Sequence, residues 1–173
     1  RAAGAGANDA SVGVSSPAPR RLGAHGLEVA LPPGWDGRIS LRQETAVELP
    51  GGVRYEGTVP VGGTENPVLH VANFALPDRR GDYGSGAVDV MTSRGIFAAI
   101  LEFDREAAGT PMFRPAWGLR FGSRDVDPAG MQRMVQGRCG GQQFVALGGR
   151  AFCCYVVLGS WILRAPLLRQ LNP

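Results

Sequence analysis

The stretch Phe144–Leu158, FVALGGRAFCCYVVL, decides the fold. Two β-rich apolar runs flank Gly148-Gly149, and a two-residue Gly-Gly connection supplies the positive φ angles that primed hairpin turns require. Pairing about that turn sets Cys153 opposite Phe144 and Cys154 opposite Gln143. In the second arm Ala151, Cys153, Tyr155 and Val157 point one way, and Phe152, Cys154, Val156 and Leu158 the other. Both faces are apolar. A strand without a polar face must be covered on both sides, which predicts a central place for this hairpin in a layered domain.

Upstream, Leu27, Val29 and Leu31 alternate with Glu28 and Ala30, predicting a strand that ends at Pro32-Pro33-Gly34, with Trp35 as a core plug. Ile39 and Leu41 mark a second, half-wet strand. Glu44 to Pro67 is Gly- and Pro-rich, with weak strand character at Val53 to Tyr55. Val68 to Phe74 is a stronger strand, followed by a turn-rich stretch from Pro77 to Gly86. Ala87 to Met91 and Ile96 to Phe103 then read as a second hairpin across Thr92 to Gly95. Asp127-Pro128 opens a predicted short helix over Met131 to Met134, and Arg164 to Leu171 is the best helix candidate, with Pro166 near its start and Leu167, Leu168 and Leu171 on one stripe. Residues 1–23 carry Ala, Gly, Ser and Pro, no aromatic and no sustained period, the composition of a flexible tether. The expectation is therefore an α+β domain over residues 24–173, a twisted antiparallel sheet with a C-terminal helix packed on one face.

At 173 residues the chain is long enough for one real core. The 26 glycines and 13 prolines point to abundant loops and short elements. All 18 basic residues are arginine, as GC-rich coding would give. They are spread from Arg1 to Arg169 for a net charge of +3, which is no nucleic-acid footprint; the nearest basic and aromatic stretch, Phe113 to Phe121, has only Arg114 and Arg120 and reads as an edge strand turning arginines to water. No run approaches the roughly 18–20 apolar residues of a membrane span, so no span is expected in this chain. The chain opens at Arg1 without a methionine, and processed or excised ends are expected. Cys139, Cys153 and Cys154 are an odd set; Cys153 and Cys154 are expected as buried free thiols and Cys139, beside two glycines, as the more accessible one.

Candidate chemistry is sparse. His70 lies on a predicted strand with Asp78 and Asp82 in the following loop, a base-plus-carboxylate pair in outline, although structural histidines in such places are commoner. His25, at the tether boundary, is expected in solvent. Neither histidine has the short ligand spacings of a zinc site with the cysteines, so no metal and no cofactor is expected. Ser85 stands in Gly84-Ser85-Gly86, but Tyr83 occupies the first glycine position of a nucleophile elbow. Gly4-Ala5-Gly6 lacks the third glycine of a dinucleotide fingerprint. Glu102, Asp104 and Glu106 alternate as hard-cation ligands would, and equally as a solvated strand end does. Arg80-Gly81-Asp82 matches integrin-recognised loops, yet a turn explains those three residues without a receptor.

The run LEVALPPGW at Leu27 to Trp35, the run GRAFCCYVVLGS at Gly149 to Ser160 and a terminal apolar helix resemble uncharacterised extracytoplasmic domains of GC-rich actinobacteria, loosely similar at the opening to PsbP-like domains. The resemblance spans two patches and carries no catalytic motif. It implies an antiparallel sheet flanked by helices, outside the cytoplasm or tethered to a membrane. The first functional expectation is accordingly a non-enzymatic interaction or accessory domain with a protein partner at the cell envelope. The rival is a small hydrolase using His70 with Asp78 or Asp82 and Ser85 as nucleophile; the alternative location is the cytoplasm.

Overall fold

The computed structural model describes residues 18–42, 47–48, 54–55 and 66–172. Among these the elements run β1 (Arg20–Ala24), β2 (Leu27–Leu31), β3 (Asp36–Leu41), β4 (Val47–Glu48), β5 (Arg54–Tyr55), β6 (Pro67–Ala72), α1 (Ser85–Val90), β7 (Ile96–Phe103), β8 (Arg114–Pro115), β9 (Cys139–Leu147), β10 (Arg150–Leu158) and α2 (Arg164–Leu171), with two short 3₁₀ turns at Arg105–Gly109 and Pro128–Gly130. Six strands form one sheet in the order β3-β6-β7-β10-β9-β8. It is antiparallel except that β8 runs parallel to β9. The β1–β2 and β4–β5 hairpins form two small sheets. This is the expected α+β, sheet-dominated class.

The central hairpin forms because its local chemistry leaves few alternatives. Gly148 and Gly149 take φ 59° and 75°, the left-handed pair of a type I′ turn that matches the twist of the strands it joins. The register follows from that turn, with Cys153 opposite Phe144 and Cys154 opposite Gln143. β10 sits between β7 and β9, and every residue from Ala151 to Leu158 is buried. Ala151, Cys153, Tyr155 and Val157 pack into one core layer with Phe97, Leu101 and the α1 residues Ala87 and Val88. Phe152, Cys154, Val156 and Leu158 pack into the other with Ile96, Phe121 and the α2 residues Leu167 and Leu168. Each fully buried Val, Leu or Phe contributes about 1.5–3 kcal/mol relative to exposure, so this strand contributes strongly to the stability of the sheet. In α2, Pro166 lies in the first turn, where its missing N–H removes no intrahelical bond; the ladder starts with Leu167 N–H donating to the Leu163 carbonyl at 3.1 Å.

Several expectations give way to long-range contacts. Ala87 to Met91 belongs largely to helix α1, so the second hairpin does not form and only β7 survives of it. Gly84 caps α1 in the left-handed region at φ 73°, where a Cβ would stand 2.0 Å from the Phe97 ring. At the other end the Arg138 guanidinium donates to the carbonyls of Val88 and Met91, filling the acceptors that a short helix leaves open. Those ties come from a residue far along the chain and outweigh the β propensity of the valines. The predicted helix over Met131 to Met134 is reduced to the 3₁₀ turn at Pro128–Gly130, capped by the Asp127 carboxylate accepting from Gly130 N–H at 2.8 Å. Beyond it, the Gln132 N–H donates to the Tyr155 hydroxyl at 2.9 Å and Met131 enters the core, which draws the chain out of helix.

Cys139 is fully buried, contrary to its expected accessibility, because it is the first residue of β9 and lies opposite Leu158 in the second core layer. All three cysteines are free and buried. Trp35 is half-buried against the same layer and is not a central plug. Ordered strand begins at Arg20, inside the stretch assigned to the tether; residues 1–17 and most of Glu44 to Pro67 lie outside the described residues.

Candidate functional site

β6 turns Val68, His70 and Ala72 toward the α1 layer and Val71 toward the α2 layer, so period-2 geometry carries a histidine into an otherwise apolar layer. Only 2% of His70 is exposed. Its ring lies 5.5 Å from that of Phe97. A buried imidazole must have its nitrogens satisfied, and the loop after β6 does this. Arg80 Nε–H donates to His70 Nδ1 at 2.9 Å, which makes Nδ1 an acceptor; Nε2 therefore carries the proton and donates to the Asp82 carbonyl at 2.7 Å. Burial strips water from the imidazolium form and pushes the His70 pKa down to about 4; the Asp82 carbonyl works against that shift and the Arg80 charge with it. At neutral pH His70 is a neutral strut between sheet and loop.

Arg80 extends the strut, its Nη1 donating to the carbonyls of Pro77 at 3.1 Å and Asp78 at 3.2 Å. The Arg80-Gly81-Asp82 tripeptide is thus folded onto the sheet. Around it opens a polar cleft of about 650 Å³ that includes Ser40, His70, Asp78, Asp82, Ser85 and Asp89 in its lining. The four residues singled out from sequence do converge there. Their connections differ from those of a catalytic relay. Both ring nitrogens of His70 are engaged by Arg80 and by a backbone carbonyl, and Ser85 Oγ is 3.5 Å from the Arg80 carbonyl, a marginal bond. The Asp82 carboxylate is 3.9 Å from Arg42, and burial raises its pKa against the pull of that guanidinium. Asp89 pairs with Arg133.

The acidic alternation at the end of β7 resolves into separate roles. Glu102 accepts from Arg150 Nε at 2.7 Å, Asp104 from Asn66 Nδ2 at 2.8 Å, and Glu106 is exposed in the following turn. Among the described residues no three His, Cys, Asp or Glu side chains are grouped as metal ligands, and no helix is long and apolar enough to cross a membrane. On the opposite face of the sheet, Val29, Trp35, Ile100, Leu119, Phe121 and Leu171 contribute to an apolar hollow of about 240 Å³. Sequence reasoning missed this hollow, since its walls come from β2, the sheet, the segment after β8 and α2. It also missed Arg80 as the partner of His70, for which the sequence holds no local signal. Compared with protein-family models, curated proteins and solved structures, the chain matches none.

Proposed function

We propose that this chain is a non-enzymatic interaction or accessory domain that works outside the cytoplasm, with a protein partner in an envelope or membrane complex. One observation carries the reading: the cleft of about 650 Å³ around Arg80 is held in shape by His70 and Arg80, which are bonded inward, with Asp78 and Arg79 exposed at its rim. Preformed walls with exposed charges of both signs suit recognition of a polar protein segment, because little ordering accompanies binding. The resemblance to extracytoplasmic domains supports the location.

Reversing the rim charges, with Asp78→Arg and Arg79→Glu together, should abolish capture of the partner from an envelope fraction while leaving the melting temperature unchanged. A partner held equally well by the reversed protein would contradict a role for the cleft. The hydrolase reading draws on the convergence of His70, Asp78, Asp82 and Ser85 in one cleft. It requires His70 to give up Arg80 or the Asp82 carbonyl before Nδ1 or Nε2 can reach Ser85. Ester hydrolysis lost in both Ser85→Ala and His70→Asn would favour it over the binding reading.

A further inference from the structure

The segment from Phe113 to Phe121 wraps the β8 edge of the sheet, and its two ends are clamped in different core layers: Phe113 is buried on the α1 side and Phe121 on the α2 side. Between the clamps the backbone is tied down. Ala116 N–H donates to the Ala146 carbonyl at 3.0 Å, Gln143 Nε2 to the Arg120 carbonyl at 3.0 Å, and the Asn172 side chain grips both N–H and C=O of Phe121 at 3.2 and 2.9 Å. Ala116 and Leu119 turn inward against the second core layer. Trp117, held between them, is fully exposed. The other two tryptophans are half-buried, and Trp161 lies under the Arg164 guanidinium at 3.7 Å. The fold buries none of this ring, and the ties on either side of it hold it ready for contact with another surface.

The charges beside the ring say what. Arg114 and Arg120 stand three residues to either side of Trp117, within about 11 Å whatever the path of the chain, and Arg124 follows. All three are exposed, and none forms an ion pair among the described residues. The neighbouring acid, Asp125, turns its carboxylate back to accept from Gly122 N–H at 2.7 Å. Met112, also exposed, adds apolar surface. An amphipathic indole rimmed by unpaired guanidiniums matches the boundary of an anionic bilayer, where the ring sits at headgroup depth and the arginines meet lipid phosphates. Single-stranded nucleic acid fits less well, because it stacks successive bases on several aromatic faces and this segment exposes one.

We propose that the Met112–Arg124 segment is an interfacial docking loop for an anionic lipid surface, with Trp117 as its inserting residue and Arg114, Arg120 and Arg124 as its electrostatic contacts. β8 lies four strands from β6, about 19 Å across the sheet, so this surface is separate from the His70 cleft. The test is flotation with vesicles of equimolar phosphatidylcholine and phosphatidylglycerol against vesicles of phosphatidylcholine alone. The protein should partition onto the anionic vesicles only. Trp117→Ala should weaken that partitioning about tenfold, and Arg114→Gln or Arg120→Gln about fivefold each, all with unchanged melting temperatures because these side chains are exposed. The Asp78→Arg, Arg79→Glu protein should bind vesicles like the wild type, which separates this proposal from the one for the cleft. Absence of partitioning, or Trp117→Ala partitioning like the wild type, overturns it. So does a single-stranded oligonucleotide that displaces the protein from vesicles and loses its own binding in Trp117→Ala, since the surface would then belong to nucleic acid.

Discussion

The central hairpin and the 77–91 segment pack against the same core, yet they are specified in opposite ways. In β9–β10 the information is local: two glycines, a period-2 alternation and two apolar faces fix turn, register and burial together. The 77–91 segment takes its shape from partners elsewhere, with His70 on β6 fastening Arg80 and Asp82 and Arg138 fastening the end of α1. Cooperative stability is therefore expected to reside in the hairpin, and the shape of the polar cleft in a few buried hydrogen bonds.

The contrast breaks most severely at β10. Val156→Asp and Val157→Asp place a carboxylate in opposite core layers, and each should cost about 3–5 kcal/mol or abolish cooperative folding, because the carboxylate would lose its water among apolar side chains. Chemical denaturation of the pair checks this; a normal midpoint for either variant would expose one face of the strand. Next in size is His70→Ala. It leaves a cavity and strands Arg80 Nε and the Asp82 carbonyl, for a loss of about 3 kcal/mol. Amide exchange should accelerate across 77–84 more than across β10, and uniform acceleration would mean that the loop has no separate fastening.

The pH dependence of stability sharpens the same point. His70 has a pKa of about 4 when folded against an ordinary 6.5, so between those values the unfolded chain binds a proton that the folded protein refuses. Stability should thus fall as pH drops from about 6.5 to about 4 and lose nothing further from this group below that, for at most about 3 kcal/mol. Subtracting the His70→Ala profile isolates the contribution from those of the carboxylates. Identical slopes in the two proteins would place the His70 ring in water. The smallest effect is expected at the turn: Gly149→Ala, at φ 75° with open space around it, should cost about 1 kcal/mol through backbone strain alone.

What the sequence made legible follows the same division. β2, β6, β7, β10, α2 and the Phe144–Leu147 end of β9 carry their periods in contiguous residues, and the pairing of Cys153 with Phe144 follows from counting back from two glycines. α1 was not legible, because Ala87-Val88-Asp89-Val90 has strand composition and becomes helical through Gly84 against Phe97 and Arg138 at its end. The burial of Cys139 was hidden by the adjacent glycines, which look like loop until the register places them opposite Val157 and Val156. At the cleft, the set His70, Asp78, Asp82 and Ser85 could be gathered from sequence, but hydrogen-bond direction could not. Arg80 sits on His70 Nδ1, and no spacing rule connects a strand histidine to an arginine ten residues on.

The central claim, that β10 is covered on both faces, is tested most directly by its adjacent cysteines, which point into opposite layers. Burial raises the Cys153 pKa to about 11 and that of Cys154 to about 12, so both thiols are protected by protonation as well as by packing. Thiol modification followed residue by residue by mass spectrometry, in native protein and after unfolding, should find both Cys153 and Cys154 slow in the native state and fast once the chain is unfolded. Rapid native labelling of either one, with its neighbour protected, would show a strand covered on one face only and contradict the account.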